Sequence, residues 1–452
     1  MSSDPEDRDH NFNDFFTKFG YNIINLVTGI IMKEKDKTRL RELGVQLAEI
    51  ASLPIQDKNK KLWIAMNDLR AARPLVNTRD YPYFILEYRD ELHTTIEDPF
   101  LKDIEQTLLL RIYEWNHLRT DRVIEPFIDC PVVYSDSRFG TEGYRPGTDN
   151  VSREYLNTAK HYEQVIFPDD DIESKIKIPV VEYNKNATME RFGLLSGIFS
   201  GIIPVKLSGQ SRFACTPMDD IITWTGIGNA FVYMAEEPDF MHKLVSRYME
   251  AQISRIKQYE SLGILSSNNS SKNIGNNCPG FTSQLPVPTE SGIGAKINDI
   301  WGDNADQIMT SVSPEMTKEF CFDHEEEWAG MFKLYSYGCC EKLDNKLGIL
   351  KKSFPNLRKV SSSPFNDLEK TAEQLGAEFV ISFKPNSAYL AGEKTEMELL
   401  RKEIEHGCIL AKKYNLNLVF NMKTMITLNE EPQRLWNWCT MAMDTVKKYF
   451  GD

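Results

Sequence analysis

Four short segments in the last quarter of the chain carry side chains capable of chemistry: Gly338-Cys339-Cys340-Glu341, Ser361-Ser362-Ser363-Pro364, Lys384-Pro385-Asn386 and Lys423-Thr424. A thiolate beside a carboxylate can hold a zinc ion, and a lysine can neutralise a bound anion or lower the pKa of a substrate phenol. Closed tetrahedral zinc takes four ligands, and catalytic zinc usually takes three with one position open. Cys339, Cys340 and Glu341 therefore suffice only with backbone distortion or help from elsewhere. Taken singly, Ser363 and Asn386 are equally well explained as helix caps and turn formers. Their recurrence beside lysines and thiols is what argues for a shared site.

Each segment follows a short β-prone run, at 334–337, 357–360, 378–383 and 416–421. Amphipathic helices at 342–353, 366–375, 397–414 and 432–450 alternate with these runs,. Upstream, 202–207 reads as a strand and 238–262 as a helix with Met241, Leu244, Val245, Met249 and Ile253 on one face. Such alternation implies right-handed crossovers and a parallel sheet, either a closed β/α barrel or a doubly wound sheet. In both architectures the loops leaving the C-terminal strand ends meet on one face, which would gather the four segments around a ligand.

The first third reads differently. Leu40, Leu43, Leu47 and Ile50, and later Ile104, Leu108, Ile112 and Trp115, recur at helical spacing,. This describes a helical cap or arm without a sheet, over residues 1–120, preceding a catalytic barrel over 121–452. Residues 21–32 form an isolated apolar segment after a polar start, read as a loosely held extension or a contact with a second subunit in a homodimer. The Ser-, Asn-, Gly- and Pro-rich stretch 266–288 reads as a long loop, either a lid at the rim of the site or a flexible insertion.

Composition bounds the possibilities. The 452 residues are 41% hydrophobic, 26% charged and 11% aromatic, the balance of a globular protein with a large core,. Lys plus Arg number 53 against 66 Asp plus Glu, a net charge of -13 that argues against nucleic-acid or anionic-membrane partners,. The apolar segment 21–32 includes Asn22 and Asn25 and falls short of the roughly 20 residues needed to cross a bilayer,. No secretory signal is visible, so a cytoplasmic location is expected. Eight cysteines are too sparse for a disulfide framework and should remain thiols,. Nucleotide-binding glycine motifs and HExxH are absent, and His324-Glu325-Glu326-Glu327 reads as a solvated helix face,.

At these residues the chain resembles the uroporphyrinogen decarboxylase superfamily, in its longer branch associated with corrinoid-dependent methyl transfer and anaerobic O-demethylation. The resemblance runs from about residue 40 to the end. It rests on Leu62-Trp63, Arg73-Pro74, Ile112-Tyr113-Glu114-Trp115-Asn116-His117, Arg122-Val123-Ile124-Glu125-Pro126, Phe139-Gly140 and Asp299-Ile300-Trp301-Gly302. It continues through Val312-Ser313-Pro314-Glu315-Met316, Glu319-Phe320, Tyr337-Gly338-Cys339-Cys340-Glu341, Pro355-Asn356-Leu357-Arg358-Lys359-Val360-Ser361, Ser382-Phe383-Lys384-Pro385-Asn386 and Arg434-Leu435-Trp436.

The resemblance implies a (β/α)8 TIM barrel of the uroporphyrinogen decarboxylase type with an N-terminal helical extension. It also implies that a methyl group moves onto or off the cobalt of a corrinoid (cobalamin) carried by a separate small protein. In related methyltransferases, a His-x-Cys pair and a later Cys hold a zinc that activates a thiol. Here Tyr337 stands in the histidine place, Cys339 matches the first cysteine, and Lys423-Thr424 falls near the later one. A methoxylated aromatic therefore fits better than a thiol such as coenzyme M. Demethylation of an aryl ether expels a phenolate, whose charge Lys384, Lys423, Tyr337 or a zinc at Cys339, Cys340 and Glu341 could stabilise. Asp136, Arg138, Ser361, Ser363 and Asn386 are the expected substrate-binding residues. The alternatives are a uroporphyrinogen-type decarboxylase, of which Asp136 and Arg138 would be remnants, and a non-catalytic module that only docks the corrinoid protein.

Overall fold

The computed structural model describes residues 33–79, 90–140, 164–275, 278–423 and 425–451. The apolar segment 21–32 and Thr424 lie outside the described residues. Ten strands occur among the described residues: β1 Leu75–Thr78, β2 Ile128–Pro131, β3 Tyr134–Asp136, β4 Val181–Tyr183, β5 Val205–Ser208, β6 Trp301–Asn304, β7 Leu334–Tyr337, β8 Leu357–Ser362, β9 Val380–Phe383 and β10 Asn417–Met422. Six of them form one sheet in the order β1-β10-β9-β8-β7-β6. Every pairing in it is parallel. β2 and β5 make a separate parallel pair, and β3 and β4 an antiparallel one. The fold is thus mixed α/β around a parallel sheet, with helices Leu347–Ser353, Leu368–Leu375 and Met397–Tyr414 linking successive late strands.

The reading of the first third as helices without a sheet is corrected by β1. Leu75 and Val76 pair with Val419 and Phe420 of β10, at the far end of the chain. Four residues directly after Arg73-Pro74 are too few to display an alternation, so their strand character comes from the neighbour they meet. Among the described residues of that region, the expected helices are present over Glu34–Ala51, Pro54–Asn67 and Pro99–His117. Among the described residues, no helix is long and apolar enough to cross a membrane.

Both faces of the sheet are buried, although its strands carry polar residues such as Asn77, Asp303, Ser336, Lys359, Ser382 and Asn421. Alternate residues divide between two environments. Val76, Tyr335, Tyr337, Val360, Ile381, Phe383, Leu418, Phe420 and Met422 join the large core shared with the helices. Leu75, Val380 and Val419 face the other way, packing with Trp63, Met66, Cys278 and Phe281. Trp301 and Leu334 pack beside them with Ile274 and Leu285.

Those partners reveal the place of the 266–288 stretch. It is no lid or rim: it fills the second face beneath the N-terminal ends of β1, β6, β7 and β9. The Asn268 amide donates to Ser211 O at 2.9 Å and Trp301 O at 3.0 Å, and its oxygen accepts from Trp301 N at 2.8 Å. Asn67 donates to Pro279 O and Phe281 O, and Trp301 Nε1 donates to Gly280 O. A Cβ on Gly280 would lie 2.0 Å from Asn268 O. Amide side chains here replace the backbone ladder that irregular chain lacks, so the composition of a mobile loop instead builds a fixed plug.

Candidate functional site

Above the plug, four C-terminal strand ends converge. Period-two alternation places Ser382 and Lys384, and likewise Asn421 and Lys423, on the plug face of the sheet. Cys278 from the plug lies 3.5 Å from Ser382 Oγ, and Asn77 donates to Asn421 Oδ1 at 3.0 Å, so the floor is polar. The Lys384 ammonium donates to Ser361 Oγ, which donates to Cys339 O at 2.6 Å. Lys423 Nζ approaches Cys339 Sγ at 3.3 Å, and the Cys339 and Cys340 sulfurs stand 3.6 Å apart. The tight backbone at Gly338, with φ of 97°, makes this possible: a Cβ there would meet Leu343 at 2.7 Å and Ser361 at 3.0 Å,. Lys384 and Lys423 are buried, while the two thiols are half-buried.

The electrostatics follow from this crowding. Burial, aided by the neighbouring Lys423 cation, pulls Lys384 below the usual lysine range, against the thiols and Glu341,. Its hydrogen bond with Cys340, together with burial, pushes the Cys339 thiol up to about 12, despite the two lysines. Cys339 is accordingly a neutral thiol at pH 7. Burial and the adjacent Cys339 raise Glu341 to about 7. One Glu341 oxygen accepts from Cys339 N at 2.6 Å and the other has no partner.

Asp219 is likewise raised to about 7, by burial and then by Asp306. Each of these carboxyls keeps its proton in the folded protein through a range, from about pH 4 to about pH 7, where the unfolded chain has released it. The folded state then binds more protons, so stability falls as pH rises through that range. We expect guanidinium midpoints to drop between pH 5 and pH 8, and the drop to shrink in Asp219→Asn and Glu341→Gln. An equal drop in both variants would refute this origin.

The structure brings Cys339, Cys340, Glu341, Ser361, Lys384 and Lys423 together and leaves other expected residues elsewhere. Tyr337 projects to the opposite face, where its hydroxyl donates to Asp306 Oδ2 at 3.0 Å and its ring stacks on Phe354. It is separated by the sheet from the lysines it was expected to join. Asp136 is held by Arg255 Nε at 2.6 Å and Tyr259 OH at 2.9 Å. Arg138, at φ of 54°, donates its backbone N–H to Asp136, and its charge favours ionised Asp220. This is a separate network. Asn386 Oδ1 accepts from Ala388 N at 3.1 Å, and Ser363 Oγ donates to Asn366 Oδ1 at 3.2 Å, the turn and cap roles open to them from the start.

The ligand atoms of Cys339, Cys340 and Glu341 are not gathered within 4.8 Å of one another. The Glu341 carboxylate is turned to the backbone of Cys339, and a lysine ammonium stands against Cys339 Sγ. Among the described residues, three such ligand atoms lie within 4.8 Å of one another only at Asp306, Cys321 and Glu325. Glu325 is fully buried, which corrects its reading as part of a solvated face. Cys321 and Glu325 stand four residues apart, a spacing that shares one helical face and was the available signal.

No family model matches the chain, and no curated protein does. Solved structures do match it. One is a methyltransferase from Methanosarcina mazei, 11% identical, with a TM-score of 0.47 over 85% of this chain and 98% of the other.

Proposed function

We propose that the chain is a methyltransferase that takes a methyl group from a methoxylated aromatic or similar donor and passes it to the cobalt of a corrinoid on a separate protein. The carrying observation is the meeting of Lys384, Ser361, Cys339 and Lys423 at four consecutive strand ends. The motifs shared with the corrinoid-dependent branch of the uroporphyrinogen decarboxylase superfamily supply the reaction class. A (β/α)8 barrel accounts for β1 beside β10, for the parallel β2–β5 pair, and for the parallel bridges Gln210–Leu265 and Cys215–Asn304.

A reduced corrinoid, when its carrier docks, supplies the methyl acceptor. What this chain's own residues do follows from their placement. As the carbon–oxygen bond of the ether breaks, its electron pair stays on oxygen. Buried ammonium groups fixed in advance are the donors that such developing charge needs. Lys384 is held by Ser361, and its lowered pKa eases transfer of a proton to the departing phenolate. Lys423 contributes charge from 3.3 Å beyond Cys339 Sγ. The neutral Cys339 thiol gives the donor an uncharged, polarisable neighbour.

The test is to mix the folded protein with cob(I)alamin and a panel of methoxybenzoates. Methyl-cob(III)alamin absorption should replace that of cob(I)alamin. Silence across a broad panel, with carrier protein also supplied, would overturn the proposal; carrier binding without turnover would then assign the chain as a docking module.

A further inference from the structure

A second constellation lies on the other side of the sheet, between the ends of β6 and β7 and the helices that cover them. Asp306 stands two residues beyond β6, and Glu325 lies in the helix Asp323–Gly330. Cys321 sits in the turn just before it, where the helix widens to a π form over Lys318–Phe322. Such widenings occur frequently at functional sites. All three side chains are buried, Cys321 and Glu325 at 0% exposure and Asp306 at 1%. Two facing carboxyl groups with no donor between them require either a shared proton or a cation.

An independent feature points to the cation. Asn304, 2% exposed, lies beside Glu325 and Tyr335, yet neither its amide nitrogen nor its oxygen makes a well-formed hydrogen bond. Both Glu325 oxygens are also unpaired. A buried amide without a well-formed hydrogen bond, beside a carboxyl in the same state, is a costly arrangement in a well-packed core. The nearby Lys346 ammonium donates to Met309 O and faces Asp306 and Cys321 with one positive charge, against two carboxyls and a thiol.

We propose that Asp306, Cys321 and Glu325 bind a divalent transition-metal ion of the zinc class. Two oxygens and one sulfur within 4.8 Å match that donor set,. The surroundings supply the outer hydrogen bonds that orient metal ligands: Tyr337 OH donates to one Asp306 oxygen at 3.0 Å and Met218 N to the other at 3.1 Å,. Binding releases the thiol proton of Cys321 and any proton held between the carboxyls. The ion would tie the end of β6 to the covering helix and, through Tyr337, brace the strand that leads to Gly338 and Cys339. The role is structural and independent of the methyl-transfer reading.

Cobalt(II) titration of the metal-stripped full chain tests it, because thiolate ligation gives an intense charge-transfer band. The band should appear at one cobalt per chain, persist in a Cys339→Ser/Cys340→Ser double variant, and vanish in Cys321→Ser. No uptake by folded protein, or a band lost with Cys339 and Cys340 instead, would overturn the proposal. Should Cys321→Ser fail to fold, zinc-dependent melting decides: added zinc should raise the melting temperature of wild type and not of Glu325→Gln. Equal responses would overturn it.

Discussion

Lys384→Met is expected to lower methyl transfer to cob(I)alamin by about 10²–10³-fold, the usual loss when one preorganised donor to a developing oxyanion is removed. Methionine preserves the length and apolar stem of the side chain, so the buried position remains filled while the donor to Ser361 Oγ is lost. The loss should lie in kcat more than in KM, because the charge it answers exists only as the bond breaks. Lys423→Met makes a complementary test. Lys423 is one reason that Lys384 titrates below the ordinary range, so removing it lets the Lys384 pKa rise. The alkaline limb of the pH–rate profile should then move to higher pH. Lys384→Met with turnover near wild type would end the assignment of this residue to leaving-group charge.

The largest stability effect is expected at Trp301. Its ring packs with Ile274, Leu285 and Leu334, its Nε1 donates to Gly280 O at 2.8 Å, and the Lys359 ammonium stands 5.5 Å from it. Truncation to alanine opens a cavity and orphans the Gly280 carbonyl, a loss of about 3–5 kcal/mol. Lys359, buried and without a hydrogen bond, would also lose one of the two indole faces that flank it,. The denaturant midpoint should fall with an unchanged slope. A midpoint shift worth less than about 1 kcal/mol would show that the plug contributes little to stability.

Local periodicity made much of the late chain legible. The strand at 334–337 and the helix at 397–414 coincide with β7 and Met397–Tyr414, and β8, β9 and β10 fall within two residues of their expected limits. β6 escaped notice because Gly302, Asp303 and Asn304 are poor strand formers. Gly302 is there because a Cβ would lie 2.3 Å from the Phe332 ring,. Tyr337 shows a signal that was present and unused: it shares parity with Tyr335, and both turn to the helix core. The plug had no such signal. Its order depends on partners such as Asn67, more than 200 residues away, and no window along the chain contains them. Glu325 failed similarly, since a run of acids reads as solvated until a covering element buries one of them.

The plug has a kinetic corollary. Under the proposed function, with one end of this sheet face stoppered by the chain itself, substrate would have to reach the lysines from the side of the half-buried Cys339 and Cys340. Ether and cobalt carrier would then queue at a single doorway, and a lingering phenol would bar the carrier as effectively as it bars fresh ether.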